Sequence, residues 1–128
     1  MTQPLSRRPF LAALGAGVLT WALAPAPAPA AEGKRRVVSV TIRNRRVIAP
    51  KGPIRVTQGD LVELRWRSDE RVELHLHGYD KTLDLRPGSA AKLVFRARVA
   101  GRFPVTSHGW GAHGHGHQAL TYLEVYPR

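Results

Sequence analysis

Six histidines carry the clearest potential for chemistry in this 128-residue chain, and all six lie in its second half. Neutral imidazole is a common protein ligand for copper, zinc and nickel, and it needs no thiolate partner. A set of nitrogen ligands suits Cu(II) in a tetragonal geometry or Zn(II) in a tetrahedral one. The candidate metal ligands are His75, His77, His108, His113, His115 and His117.

Two of these histidines lie on a segment that alternates as a β-strand does. His75 and His77 are two residues apart, so a strand turns both imidazoles to one side. Apolar side chains at positions 72, 74 and 76 occupy the other side, which predicts that both histidines face away from the core. A bulge near Gly78 would turn His77 inward, but the sequence does not show one.

The last three histidines alternate with glycine inside a loop that we predict over residues 108–117. Such a loop can fold over a strand that carries further histidines, and one metal site would then use both. The alternative is a solvated loop that binds metals only loosely, with histidines that form no site. We predict the metal site and keep the second interpretation open.

Short β-branched and aliphatic runs, separated by turn residues, position these histidines. No helical periodicity is present after the N-terminal segment, and the spacing of the runs is typical of a sandwich or barrel. Residues 44–53 are interpreted as a turn-rich crossing. The predicted strands are 37–42, 54–57, 61–67, 72–77, 81–85, 91–97, 102–107 and 119–125. The predicted fold is an all-β, Greek-key β-sandwich or barrel of seven or eight strands.

The N-terminal segment is typical of an export signal. Residues 6–11 read SRRPFL and precede an apolar run that ends at Leu23, which indicates a twin-arginine signal; an ordinary secretory signal is the alternative. The run is shorter than the roughly 20 residues that cross a bilayer. Residues 28–30 form a small-x-small cleavage pattern. The predicted organisation is a signal peptide over 1–30, a basic linker over 31–36 and a periplasmic domain over 37–128, without a transmembrane segment in the mature chain.

The chain contains no cysteine. Small exported domains are often held together by disulfides, so this one must rely on packing, with a bound metal as a further stabilising contact. The absence of a thiol also excludes every mechanism that uses thiolate chemistry.

The net charge is strongly positive, at +11 for the whole chain. Removal of the signal, with Arg7 and Arg8, lowers it to +9. Export and the lack of a long basic block argue against a nucleic-acid partner. Most of this charge is interpreted as a solvated surface that keeps a monomer soluble, and an acidic periplasmic redox or transport partner, or weak attraction to anionic lipid, is compatible with it.

Four segments resemble parts of the cupredoxin family. Residues 57–62 are similar to the Gly-Asp-x-Val turn before the strand that leads to the copper ligand, and residues 74–79 resemble the first-ligand segment. Residues 100–107 are similar to the hairpin strand that delivers the cysteine ligand, and residues 119–125 resemble the closing strand. The resemblance covers almost the whole mature chain and implies a cupredoxin-like fold that binds copper.

The chain departs from that family at two ligand positions. Ser107 stands at the position of the cysteine ligand, and Ala119 at that of the axial methionine. The resemblance therefore implies no blue copper site. It leaves His77 or His75 at the first-ligand position and His108 beside the vacant cysteine position. The histidines at 113, 115 and 117 surround the position of the loop histidine.

These observations favour a periplasmic protein that binds copper, with zinc as the alternative, for carriage, holding or sensing. The main alternative is a metal-free structural or partner-binding module, which the residues at positions 107 and 119 motivate. A copper oxidase or dismutase-like enzyme is a third and weaker hypothesis, because the sequence shows no catalytic motif beyond the histidines. Asp80 and Asp84 are candidates to accept hydrogen bonds from ligand imidazoles, although aspartates are also common in turns.

Overall fold

The structure is a computed structural model that describes residues 23–28, 32–110 and 119–128. These residues contain nine β-strands and no helix. The strands are β1 (Arg35–Arg43), β2 (Arg46–Ala49), β3 (Ile54–Thr57), β4 (Leu61–Ser68), β5 (Val72–Leu76), β6 (Lys81–Leu85), β7 (Ala91–Arg96), β8 (Gly101–His108) and β9 (Ala119–Tyr126). Within these residues, nothing helical is long and apolar enough to cross a membrane. Most of the predicted signal peptide lies outside them.

The strands form two sheets that pack face to face. One sheet has four strands in the order β2-β1-β4-β7, and the other has five in the order β3-β9-β8-β5-β6. The pairs β1–β4 and β3–β9 are parallel, while the remaining pairs are antiparallel. The predicted all-β sandwich is confirmed, with nine strands in the described residues rather than seven or eight.

Strand β2 lies inside the segment that the sequence predicted to be a turn-rich crossing. It forms a hairpin with β1 in which Arg43 lies opposite Arg46, so Asn44 and Arg45 alone make the turn. Both turn residues have positive φ angles, 49° and 61°, as a two-residue hairpin turn requires. The prediction was wrong because arginine replaces the glycine that usually marks the second position of such a turn.

The alternation of each strand decides which side chains enter the core. Along β4, Val62, Leu64 and Trp66 are buried between the sheets, while Arg65 and Arg67 are exposed. Trp66 is the largest fully buried side chain of the described residues, as its position on the apolar face predicted. Because these side chains pack against the five-stranded sheet, each sheet has one inner face in the core and one outer face toward solvent.

A buried carboxylate holds the turn between β3 and β4. The backbone N–H groups of Lys34 and Thr57 donate to Asp60 at 2.9 and 3.0 Å, and the guanidinium groups of Arg36 and Arg128 donate at 3.4 and 3.3 Å. Burial raises the pKa of Asp60, but the hydrogen bonds from Thr57, Lys34 and Arg36 outweigh this effect and hold the pKa below its usual value. The turn, the entry to β1 and the C-terminus are thus tied together by one side chain.

A second carboxylate lies on the outer side of the four-stranded sheet. Arg35 and Arg65 each donate a hydrogen bond of 2.7 Å to Glu63, whose side chain is 5% exposed. The bond from Arg35, followed by that from Arg65, lowers the pKa of Glu63 from 4.5 to about 2, against the opposing effect of burial.

Acid is expected to destabilise the fold through Glu63. Because its pKa in the folded state lies below the ordinary value, its contribution is complete above pH 4.5 and is lost as the pH falls toward about 2. Urea unfolding across this range should therefore show a smaller decline in stability for a Glu63→Gln variant than for the unaltered protein. Parallel declines would show that the ion pair does not form in solution.

Candidate metal centre

His75 and His77 project from the outer face of the five-stranded sheet, as the alternation of β5 predicted. Their neighbours Leu74 and Leu76 are buried in the core. His75 lies directly opposite Thr106 of β8, so the two side chains share a face. The Nε2 atom of His77 and the hydroxyl of Thr106 are hydrogen-bonded at 2.9 Å, which places the ring of His77 on that same face.

Three imidazoles lie together on this face. The ring centroids of His75 and His77 are 4.1 Å apart, and those of His75 and His108 are 6.5 Å apart. Two imidazoles that bind one ion through bonds of about 2 Å have ring centroids roughly 4–5 Å apart, and the spacing of the first pair lies in this range. In the part of the chain described, no group of three or more histidine, aspartate or glutamate side chains is arranged to hold a metal.

Two polar groups orient the histidine pair. Besides the hydroxyl of Thr106, the carboxylate of Asp80 lies 3.5 Å from the Nε2 atom of His75. That distance is longer than an ordinary hydrogen bond, and the carboxylate is fully exposed, so this contact is the weaker one. Groups of this kind fix the ring orientation and tautomer of ligand histidines.

The sequence indicated Asp80 but gave no reason to select Thr106. Thr106 adjoins the histidines only because β8 pairs with β5, and the two strands are separated by β6 and β7 in the chain. Asp84, the other candidate acceptor, lies one row further along, opposite Glu73.

Two acidic side chains and His108 form the next row of this outer face, at the end of the sheet where β8 finishes. Glu73 lies between Asp84 on one neighbouring strand and His108 on the other. The three side chains border a surface pocket of about 340 Å³ that Arg71 and Gly109 also line. Two carboxylates, an imidazole and the side chain of Arg71 thus meet at this end of the face.

The residue at the position of the cupredoxin cysteine ligand, Ser107, lies on the inner side of the five-stranded sheet. Ser107 lies opposite Leu74, whose side chain enters the core, whereas His108 lies opposite Glu73 on the outer face. Trp110 packs against the core, and Arg45 donates a hydrogen bond of 3.1 Å to the carbonyl of Trp110. The three described histidines therefore lie on the face opposite to the one that a cysteine at position 107 would use.

Half of the predicted ligands cannot be placed. His113, His115 and His117 fall within residues 111–118, which lie outside the described residues. Their participation in a metal site remains a prediction.

Solved structures of copper proteins share this architecture. A multi-copper oxidase from Pseudomonas Thermotolerans superposes with a TM-score of 0.58 at 22% identity, over 76% of this chain and 31% of that one. A copper nitrite reductase from Nitrosomonas europaea gives 0.55 at 20% identity, over 74% and 42%. A chain of a heme-copper terminal oxidase dimer gives 0.55 at 18% identity, over 82% and 76%.

These neighbours are cupredoxin-fold proteins, and the predicted cupredoxin-like fold is confirmed. This chain spans less than half the length of the multi-copper oxidase and nitrite reductase chains. No family model matches the sequence, and no curated protein matches it either.

Proposed function

We propose that this chain is a periplasmic cupredoxin-like protein that binds copper through histidines alone, to hold, carry or sense the metal. The close pair of imidazoles at 4.1 Å on the outer face carries the proposal. His75 and His77 supply the fixed ligands, and His108 supplies a third after a change of side-chain rotamer. The loop residues His113, His115 and His117 complete the set.

The donor set favours holding over electron transfer. A blue copper centre needs a thiolate, and this chain has no cysteine, with a serine at the equivalent position. Imidazole nitrogens alone favour Cu(II) in a tetragonal arrangement. Such a site changes oxidation state slowly, which suits storage or transfer of the ion.

The surroundings of the pair support this role. The Thr106 hydroxyl fixes the ring of His77, and Asp80 faces the ring of His75. The nearby carboxylates of Glu73 and Asp84 attract a divalent cation to the face. The twin-arginine pattern is consistent with a protein that works after export.

Copper titration of metal-free protein, purified without a histidine tag, tests the proposal. The unaltered protein should bind Cu(II) close to one equivalent, and His75→Ala/His77→Ala should bind at least about 100-fold more weakly, since loss of one supporting contact alone costs roughly 10- to 100-fold. Thr82→Ala is the matched control, because Thr82 lies opposite His75 on the same face without an imidazole. Unchanged affinity in the histidine variant would rule out this site.

A metal-free module is the second candidate, and one observation favours it: no described group of three or more ligand-type side chains is arranged around a point. Thermal unfolding separates the two functions. Copper at about 100 times its dissociation constant stabilises a native site by about 2.7 kcal/mol, which should raise the Tm by roughly 10 °C in a domain of this size. An unchanged Tm would favour the module.

A further inference from the structure

The outer face of the four-stranded sheet carries seven of the 18 lysines and arginines that follow the predicted signal peptide. Its outward-facing charged side chains are Arg35, Arg43, Arg46, Arg65, Arg67, Lys92, Arg96 and Glu63, and we call this surface the basic face. It thus carries seven cations and a single acid. The outward-facing positions of the five-stranded sheet carry two arginines against three acids, not counting histidines.

Like charges lie directly opposite each other at two places on the basic face. Arg43 pairs with Arg46 across the β1–β2 hairpin, and Arg65 pairs with Lys92 across β4 and β7. Cross-strand pairs of equal charge destabilise a sheet. Among the described residues, Arg43, Arg46 and Lys92 have no carboxylate partner. An external anionic surface would relieve this repulsion.

The single acid, Glu63, presents almost no negative charge to the solvent. Glu63 lies beneath the guanidinium groups of Arg35 and Arg65, which shield its carboxylate from solvent. Beside it in the same row, Val37 and Val94 are each 47% exposed. The centre of the basic face is therefore partly apolar and its surroundings are cationic.

We propose that the basic face docks on the surface of an anionic phospholipid bilayer. Cations are spread across four strands, or roughly 14 Å, which matches an extended array of phosphate groups. Each basic residue near such a surface adds to binding. An acidic protein partner is less suited, because tight protein interfaces centre on aromatic anchors and the outward-facing residues of these four strands include no aromatic.

Docking in this way would orient the molecule. The histidine cluster lies on the outer face of the opposite sheet, so it would point away from the lipid into the surrounding solution. The inference does not depend on copper binding, because His75, His77 and His108, the histidines that the structure describes, all lie outside the basic face.

Vesicle sedimentation tests the inference with protein purified after export. The protein should bind vesicles that contain about 30% phosphatidylglycerol at an ionic strength of about 0.1 M and should not bind phosphatidylcholine vesicles. The variant Arg43→Gln/Arg67→Gln/Lys92→Gln should bind on the order of 100-fold more weakly. Arg55→Gln/Lys81→Gln/Arg102→Gln removes the same charge away from the basic face and should retain most of the binding.

Equal losses in the two variants would overturn the proposal, because net charge and not the basic face would then govern binding. Absence of binding to anionic vesicles would overturn it as well and would leave an acidic protein as the remaining candidate. The variant His75→Ala/His77→Ala should bind vesicles like the unaltered protein. Failure of the copper site and failure of the docking surface are therefore observed separately.

Discussion

Replacing Asp60 with alanine is expected to lower the free energy of unfolding by roughly 3–6 kcal/mol, because two backbone N–H groups lose a charged acceptor and each such bond contributes about 1.5–3 kcal/mol. The substitution leaves the N–H groups of Lys34 and Thr57 without their acceptor and two guanidinium groups without their carboxylate. Arg128 would keep only its bond of 3.1 Å to the carbonyl of Gln58 in that turn. Urea unfolding measures the loss.

Asp69→Ala is the matched control for that experiment. Its carboxylate is exposed and accepts a bond from the N–H of Asn44, so about 1 kcal/mol should be lost. Asp60→Asn keeps an acceptor oxygen and removes the charge, and should fall between the other two. Similar losses at the two aspartates would mean that the buried network adds nothing beyond one exposed bond.

Replacing Gly78 with alanine should cost roughly 2–5 kcal/mol, for two separate reasons. Its φ angle is +81°, in the left-handed region that costs other residues roughly 1–2 kcal/mol. A Cβ atom at this position would also overlap the ring of Phe103, and overpacking typically adds about 1–3 kcal/mol. Thermal or urea unfolding measures the sum.

Gly88→Ala separates the two contributions. Gly88 has a similar φ angle of +78°, but a Cβ atom there would meet nothing within 4 Å. Its cost should therefore be limited to the backbone contribution of roughly 1–2 kcal/mol. If both alanine variants lose the same amount, the ring of Phe103 moves away without cost and the packing argument fails.

The contact between Gly78 and Phe103 lies in the turn where the chain reverses between β5 and β6. Tyr79 follows Gly78 and packs against Phe95 and Phe103, with ring centroids 4.9 Å away in both cases. Its hydroxyl donates to the carbonyl of Val99 at 2.7 Å. This packing fixes the path of the chain directly after His77.

Most strands could be predicted from the sequence because their signal is local. The alternation from Val72 to Leu76 placed the apolar residues in the core and the histidines outside, and the structure confirms both. Strands β3 and β6 have the predicted bounds. Strand β2 was missed because its four residues alternate weakly and its turn lacks glycine.

The sequence by itself determined the period-two pattern of the strands, the absence of a thiolate ligand and the outward direction of His75 and His77. Only the tertiary structure decided that Thr106 lies beside His77, that Ser107 and His108 use opposite faces, and that seven cations share one sheet surface. The physical reason is that alternation depends on neighbouring residues along the chain. Cross-strand neighbours depend instead on strand order and register, which packing of the whole sandwich fixes.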